Sequence, residues 1–131
     1  MDQEMCKRSD WLLVTDDIQH LEHSRLGELT WWCVDRKSKE GDRVFLYKTL
    51  TGIVCLFEIK QFIAQQDYCK IFRMDRAQVK VLKVFKPPIS AKALREARYV
   101  RLEPFIKRNF HGKSFLIRSE NTYEQILLLK K

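Results

Sequence analysis

Gly41-Asp42-Arg43-Val44-Phe45-Leu46-Tyr47-Lys48-Thr49-Leu50-Thr51-Gly52-Ile53-Val54-Cys55-Leu56-Phe57-Glu58-Ile59 is the stretch that decides the fold class. In a pleated strand from Arg43 to Thr49, Val44 and Leu46 fall on one face and Phe45 and Tyr47 on the other. Leu50-Thr51-Gly52 makes a tight connection, and Ile53 to Ile59 runs back, again apolar on both faces. That spacing predicts an antiparallel hairpin. Strands apolar on both sides must be covered on both sides. The hairpin therefore predicts a small closed β-barrel flanked by helices, not an open one-faced sheet.

Further strands and helices can be read on either side of the hairpin. Upstream, Trp11-Leu12-Leu13-Val14 reads as a buried strand, and Thr15, Asp16 and Asp17 can cap a short helix carrying Ile18 and Leu21 inward. Trp31-Trp32-Cys33-Val34 is aromatic and β-branched, which favours a strand, and Lys39-Glu40-Gly41-Asp42 supplies turn chemistry. Downstream, Tyr68–Asp75 and Gln78–Lys86 read as two strands, the second stopped by Pro87-Pro88. Ser90 caps a helix to about Arg98, with Ala93, Leu94 and Ala97 inward. Residues 99–113 are mixed and basic. Phe115-Leu116-Ile117 is a last strand, and Asn121-Thr122-Tyr123-Glu124 suggests a capping box opening a terminal helix. The sum is one α+β domain over residues 10–131, behind a flexible tail at 1–9, with roughly five to seven short strands and about three helices.

Composition fits a single packed domain: 131 residues, 45% hydrophobic and 32% charged, with only 4 Gly and 3 Pro, exclude bulk disorder and linker-like chains. No apolar run approaches the roughly 18 residues of a membrane span. The polar opening MDQEMCKRSD lacks a secretory core, so a cytoplasmic protein is expected, or a nuclear one in a eukaryote. The net charge of +8 is uneven. Residues 1–30 carry 3 basic and 7 acidic side chains, whereas 71–131 carry 15 and 5. An excess of cations in one half is what a polyanion-binding surface requires, although lysines and arginines also simply solvate surfaces.

The sequence shows no glycine-rich phosphate loop, nucleophile elbow or Cys/His pair. Cys6, Cys33, Cys55 and Cys69 lack Cys-x-x-Cys spacing, so no metal or other cofactor is expected. Cys33 and Cys55 read as small buried hydrophobes. His20 and His23 could share a helix face but have no third ligand nearby. The informative constellation is aromatic. Trp31, Trp32, Tyr47 and Phe72 lie in strands close to Thr15, Asp16, Arg36, Lys48 and Arg73. A pocket for a flipped base needs aromatic faces and a few polar groups for the base edge. Strand alternation, however, sends Trp31 and Trp32 to opposite faces, and such rings also serve as ordinary core.

The order of these features resembles the EVE domain family, in the PUA-like superfamily with the YTH and ASCH domains. The resemblance runs from about Asp10 to Leu129 and is carried by Trp11-Leu12-Leu13-Val14-Thr15-Asp16, Trp32-x-Val34, Gly41-Asp42-Arg43-Val44-Phe45-Leu46-Tyr47, Gly52-Ile53-Val54, Pro88-Ile89-Ser90 with Leu94-Arg95, Gly112-Lys113-Ser114 and Tyr123–Leu127. Between Trp32 and Gly41 the link is shorter than in the thymocyte nuclear protein branch and contains no Asn. The resemblance implies a PUA-like barrel that takes a modified base, such as methylated or hydroxymethylated cytosine, into a pocket. It favours DNA over RNA, and a nuclease or other effector protein as partner in a restriction-type setting. Carried over by position, Trp32 is the pocket aromatic, Thr15 and Asp16 sit at its mouth, and Tyr47 and Lys48 line the strand opposite. Charge alone suggests Arg36, Arg73, Lys107, Arg108 and Lys113 for the nucleic-acid backbone.

Two other readings stand beside this one. Some ASCH relatives hydrolyse an acylated cytidine with a Lys, a Thr and a Glu, types that Lys48, Thr15 or Thr49, and Glu58 supply. A cross-strand ion pair between Lys48 and Glu58 would account for the same residues. The third reading is a PUA-like module that recruits RNA or a protein partner.

Overall fold

A computed structural model describes residues 8–16, 26–63 and 74–129. The elements are β1 (Asp10–Thr15), β2 (Leu29–Asp35), β3 (Arg43–Lys48), β4 (Gly52–Phe62), β5 (Met74–Ile89), α1 (Ala91–Glu96), a 3₁₀ turn (Val100–Leu102), α2 (Pro104–Lys107), β6 (Ser114–Leu116) and α3 (Glu120–Leu128). The fold is mixed α+β, with a six-stranded sheet in the order β2-β5-β4-β3-β1-β6. β1 runs parallel to β3, while β3–β4, β4–β5, β2–β5 and β1–β6 are antiparallel. The predicted hairpin is β3–β4, turned by a Thr51 N–H that donates to Lys48 O at 2.9 Å. The expected helix near Ile18 and the expected strand from Tyr68 lie outside the described residues, except that Met74 and Asp75 open β5.

Alternation along β3 divides the core as the sequence predicts. Val44 and Leu46 join Trp11, Leu13, Val34, Phe57 and Ile59 on the inner face. Phe45 and Tyr47 join Leu94, Phe105, Tyr123 and Ile126 under the helices. The sheet is not closed into a barrel: among the described residues β2 has a ladder only with β5. It is strongly rolled, however. Four ladder steps separate β2 from β1, roughly 19 Å in a flat sheet, yet Trp11 and Leu13 share a packed cluster with Val34. Register shifts along β4–β5 provide the bend.

Several local expectations are corrected. Pro87-Pro88 does not end the strand, because β5 continues to Ile89. The prolines sit where the ladder jumps from Cys55↔Val84 to Ile53↔Ile89, so no N–H is needed from them. The mixed 99–113 segment contains the 3₁₀ turn and α2, the latter opened by Pro104 in its first turn. Ser119, not Asn121, caps α3 by accepting from Asn121 N. Ser9, expected within a flexible tail, is held by the fold: its N–H donates to Asp42 and its carbonyl accepts from Arg43 N.

Two buried carboxylates lock the frame. Asp42 is fully buried and accepts from Ser9 N, Trp11 Nε1 and Lys39 N at 2.9–3.0 Å. Glu103 accepts from Arg118 N, Ser119 N and the Thr122 hydroxyl, tying the start of α2 to the start of α3. Each replaces lost water contacts with charge-assisted bonds. Ser90 caps α1 as predicted, accepting from Ala93 N at 3.1 Å.

Candidate nucleic-acid interface

The seam where the rolled sheet stays open, between β1 and β2, holds a cleft of about 190 Å³. Leu13, Val14 and Thr15 form one wall and Trp31, Trp32 and Cys33 the other, with Met74 and Lys113 completing it. The volume equals about six waters, the scale of one small ring. Lys113 reaches it because β6 pairs with β1 only as far as Leu13, after which Val14 N donates to Lys113 O at 3.0 Å.

Both tryptophans line the cleft, although alternation gives them different faces. Trp32 lies opposite Ala77 and packs on the inner cluster. Trp31 remains 37% exposed, with the Arg76 guanidinium carbon 4.0 Å from its ring centroid. A cleft entered at a sheet edge can touch both faces of the edge strand, a geometry that alternation by itself does not reveal. Cys33, expected as a buried hydrophobe, is half-buried in this wall and disulfide-bonded. Among the described residues Cys55 is a buried free thiol, and burial pushes it up to about 12.

The expected base-pocket residues are divided. Trp32 and Thr15 meet in the cleft, and Lys113, expected at the backbone, joins them. Tyr47 is turned to the helix side, where it stacks on Phe110 at 4.0 Å. Burial raises its phenol and Arg95 opposes the rise. Asp16 accepts from the Thr49 hydroxyl at 2.6 Å, and Lys48 lies opposite Thr15 and Gly52; neither lines the cleft. The Lys48–Glu58 ion pair does not form. Glu58 lies opposite Arg43, five residues or roughly 17 Å along β3 from Lys48, and its carboxylate is 3.8 Å from Lys60. Lys48, Thr15, Thr49 and Glu58 therefore do not assemble as a group.

Of the expected backbone contacts, Arg36 is largely exposed and pairs with Asp75 at 3.2 Å. Lys107 and Arg108 are exposed at the end of α2. Arg73 lies outside the described residues, as do His20, His23 and Phe72. Among the described residues no group of three or more His, Cys, Asp or Glu could hold a metal, and no helix is long and apolar enough to cross a membrane. Sequence reasoning missed Arg95, Asn109, Phe110 and His111 as cavity residues. The one available signal was the aromatic and basic run from Phe105 to Lys113.

No protein-family model matches this chain, and no curated protein matches it. Solved structures do share the fold. A hypothetical protein from Leishmania major aligns over 94% of both chains at 17% identity, with a TM-score of 0.65. A Pseudomonas syringae protein aligns over 92% of this chain and 99% of its own at 16% identity and a TM-score of 0.65. A Rhodopseudomonas palustris protein aligns over 93% and 92% at 16% identity, with a TM-score of 0.64. At these identities the likeness concerns the fold.

Proposed function

We propose that this chain is a PUA-like domain of the EVE type, a non-enzymatic reader of nucleic acid that takes a modified base, methylated or hydroxymethylated, into the β1–β2 cleft. In this reading the rolled sheet is a PUA-like barrel left open at one seam, and the seam is the binding site. The observation that carries it is the pairing of two tryptophan rings with Lys113 around a ring-sized, mostly apolar cleft. Aromatic walls bury both the face of a base and an added methyl carbon. Thr15 offers a hydroxyl to the base edge, and Lys113 a cation to the adjoining phosphate. The +8 charge supplies the sequence-independent part of the affinity.

The test is a titration of single-stranded and duplex DNA, and of RNA, each with and without 5-methylcytosine, 5-hydroxymethylcytosine or N6-methyladenine, at two salt concentrations. The expected result is a preference for one modified base, on top of an affinity whose logarithm falls by roughly 0.7–0.9 per phosphate contact against log salt. No binding, or affinity indifferent to both salt and modification, would overturn the proposal.

A further inference from the structure

Beside the cleft, on the helix-covered side of the sheet, lies a larger cavity of about 430 Å³. Val14 is a wall of both. The stacked Tyr47 and Phe110 rings contribute apolar surface, and Ser90 and Arg95 line it from the α1 side. Three non-glycine residues among the described ones have left-handed backbone: Leu50 (φ 65°), Asn109 (φ 55°) and Phe110 (φ 61°). All three line this cavity. Bulky side chains disfavour that conformation. At Leu50, which is 98% exposed, no burial of the side chain compensates for it. Backbone held this way concentrates around ligand sites.

The chemistry of the lining is cationic. The Arg95 guanidinium donates to Asn109 Oδ1 and stands 5.7 Å from the Phe110 centroid, so most of its donor fork remains for an anion. His111 lines this cavity and also a third one of about 290 Å³, which carries Arg108 and Arg118. Among the described residues no Asp or Glu lines any of the three cavities. Asp16, near the rim, is engaged by the Thr49 hydroxyl.

We propose that the second cavity holds the nucleotide next to the base in the cleft, with its phosphodiester on Arg95 and His111. This rests on the proposed reading of the cleft. The shared Val14 wall makes the two sites neighbours along one strand. Lys113, then Arg95, then Arg108 and Arg118 supply cations in that order from the cleft to the third cavity, and His111 adds an imidazole between the last two cavities. A sugar and base suit a lining that combines the Tyr47 and Phe110 rings with Thr49, Thr51 and Ser90.

The test follows the backbone amides by NMR while the full chain is titrated with thymidine or with unmodified tetradeoxythymidylate. The tetranucleotide should shift Leu50, Arg95, Asn109 and His111, and thymidine alone should not. Arg95→Ala should weaken tetranucleotide binding by about tenfold, as expected for one charge-assisted contact, and lower the salt slope by about 0.7. Thr51→Trp, which fills the cavity from its exposed rim and keeps Arg95, should weaken it as well. Shifts at the cleft with these four amides silent, or full affinity in both variants, overturn the second site and leave the cleft reading standing. Shifts at the four amides with a silent cleft, and no preference for any modified base, overturn the cleft reading while supporting a nucleotide site here.

Discussion

Replacing Trp31 or Trp32 by alanine tests whether each ring is a wall of the proposed base site or a piece of core. Trp31 is 37% exposed, so roughly 100–150 Å² of its ring is covered. At about 25 cal/mol/Å², reduced for a partly compact unfolded chain, Trp31→Ala should lose ~2–3 kcal/mol of stability. Its contact with Arg76 adds less than about 1 kcal/mol. For 131 residues that corresponds to a Tm lower by about 7–11 °C. Trp32 packs on the inner cluster, and Trp32→Ala should cost more, ~3–5 kcal/mol. Trp32→Phe keeps a ring and should fold. If a base stacks between these walls, each lost indole removes ~1–3 kcal/mol of binding, roughly 5- to 150-fold in Kd. The loss should fall mainly on the preference for a modified base, because phosphate contacts are untouched. Calorimetric melting and fluorescence-anisotropy titration of the same preparations test this. Folded Trp31→Ala and Trp32→Phe proteins that keep the full selectivity of the parent would refute the cleft assignment.

Leu50→Gly should raise stability by about 1 kcal/mol, since the turn needs left-handed backbone and the exposed side chain packs on nothing; a urea midpoint that falls would contradict this. Gly52→Ala should lose more than about 2 kcal/mol, because at φ 126° its new Cβ would stand 2.2 Å from Ile89 O. Glu103→Gln should cost about 2–3 kcal/mol, since an amide nitrogen would face donors that now meet carboxylate oxygens; an unchanged melting temperature would show that these bonds contribute little. Burial lifts the Cys55 thiol from 9.0 to about 12. The folded value lies above the unfolded one, so this stabilisation is full below pH 9 and is lost as pH rises towards 12. Tyr47 and Tyr123, both raised by burial, add loss in the same direction at high pH. Cys55→Ala should therefore flatten, without abolishing, the alkaline decline of the urea midpoint.

Local chemistry was readable wherever one element settles it. The β3–β4 hairpin, the two-faced burial of Phe45 and Leu46, and the Ser90 cap of α1 each depend on alternation, turn residues or a hydroxyl three residues from its donor. The candidate site was legible in part. Trp32 and Thr15 were expected together and share the cleft. Tyr47 was expected with them, but its place on the opposite face of β3 sends it under the helices. Lys48 and Glu58 look close in a hairpin read without register, yet the ladder puts them at opposite ends of β3.

The α+β class, the positions of strands bounded by turn residues and the cationic excess of the C-terminal half are legible in the chain because they are properties of composition and short-range periodicity. Tertiary structure alone decided that β1 pairs in parallel with β3, that β5 runs through two prolines, and that β1 meets β2 across an open seam. Those outcomes depend on how far the sheet rolls and where its ladders shift. Both are set by packing between residues distant in the chain, and the cavities that follow are the space such packing leaves unfilled.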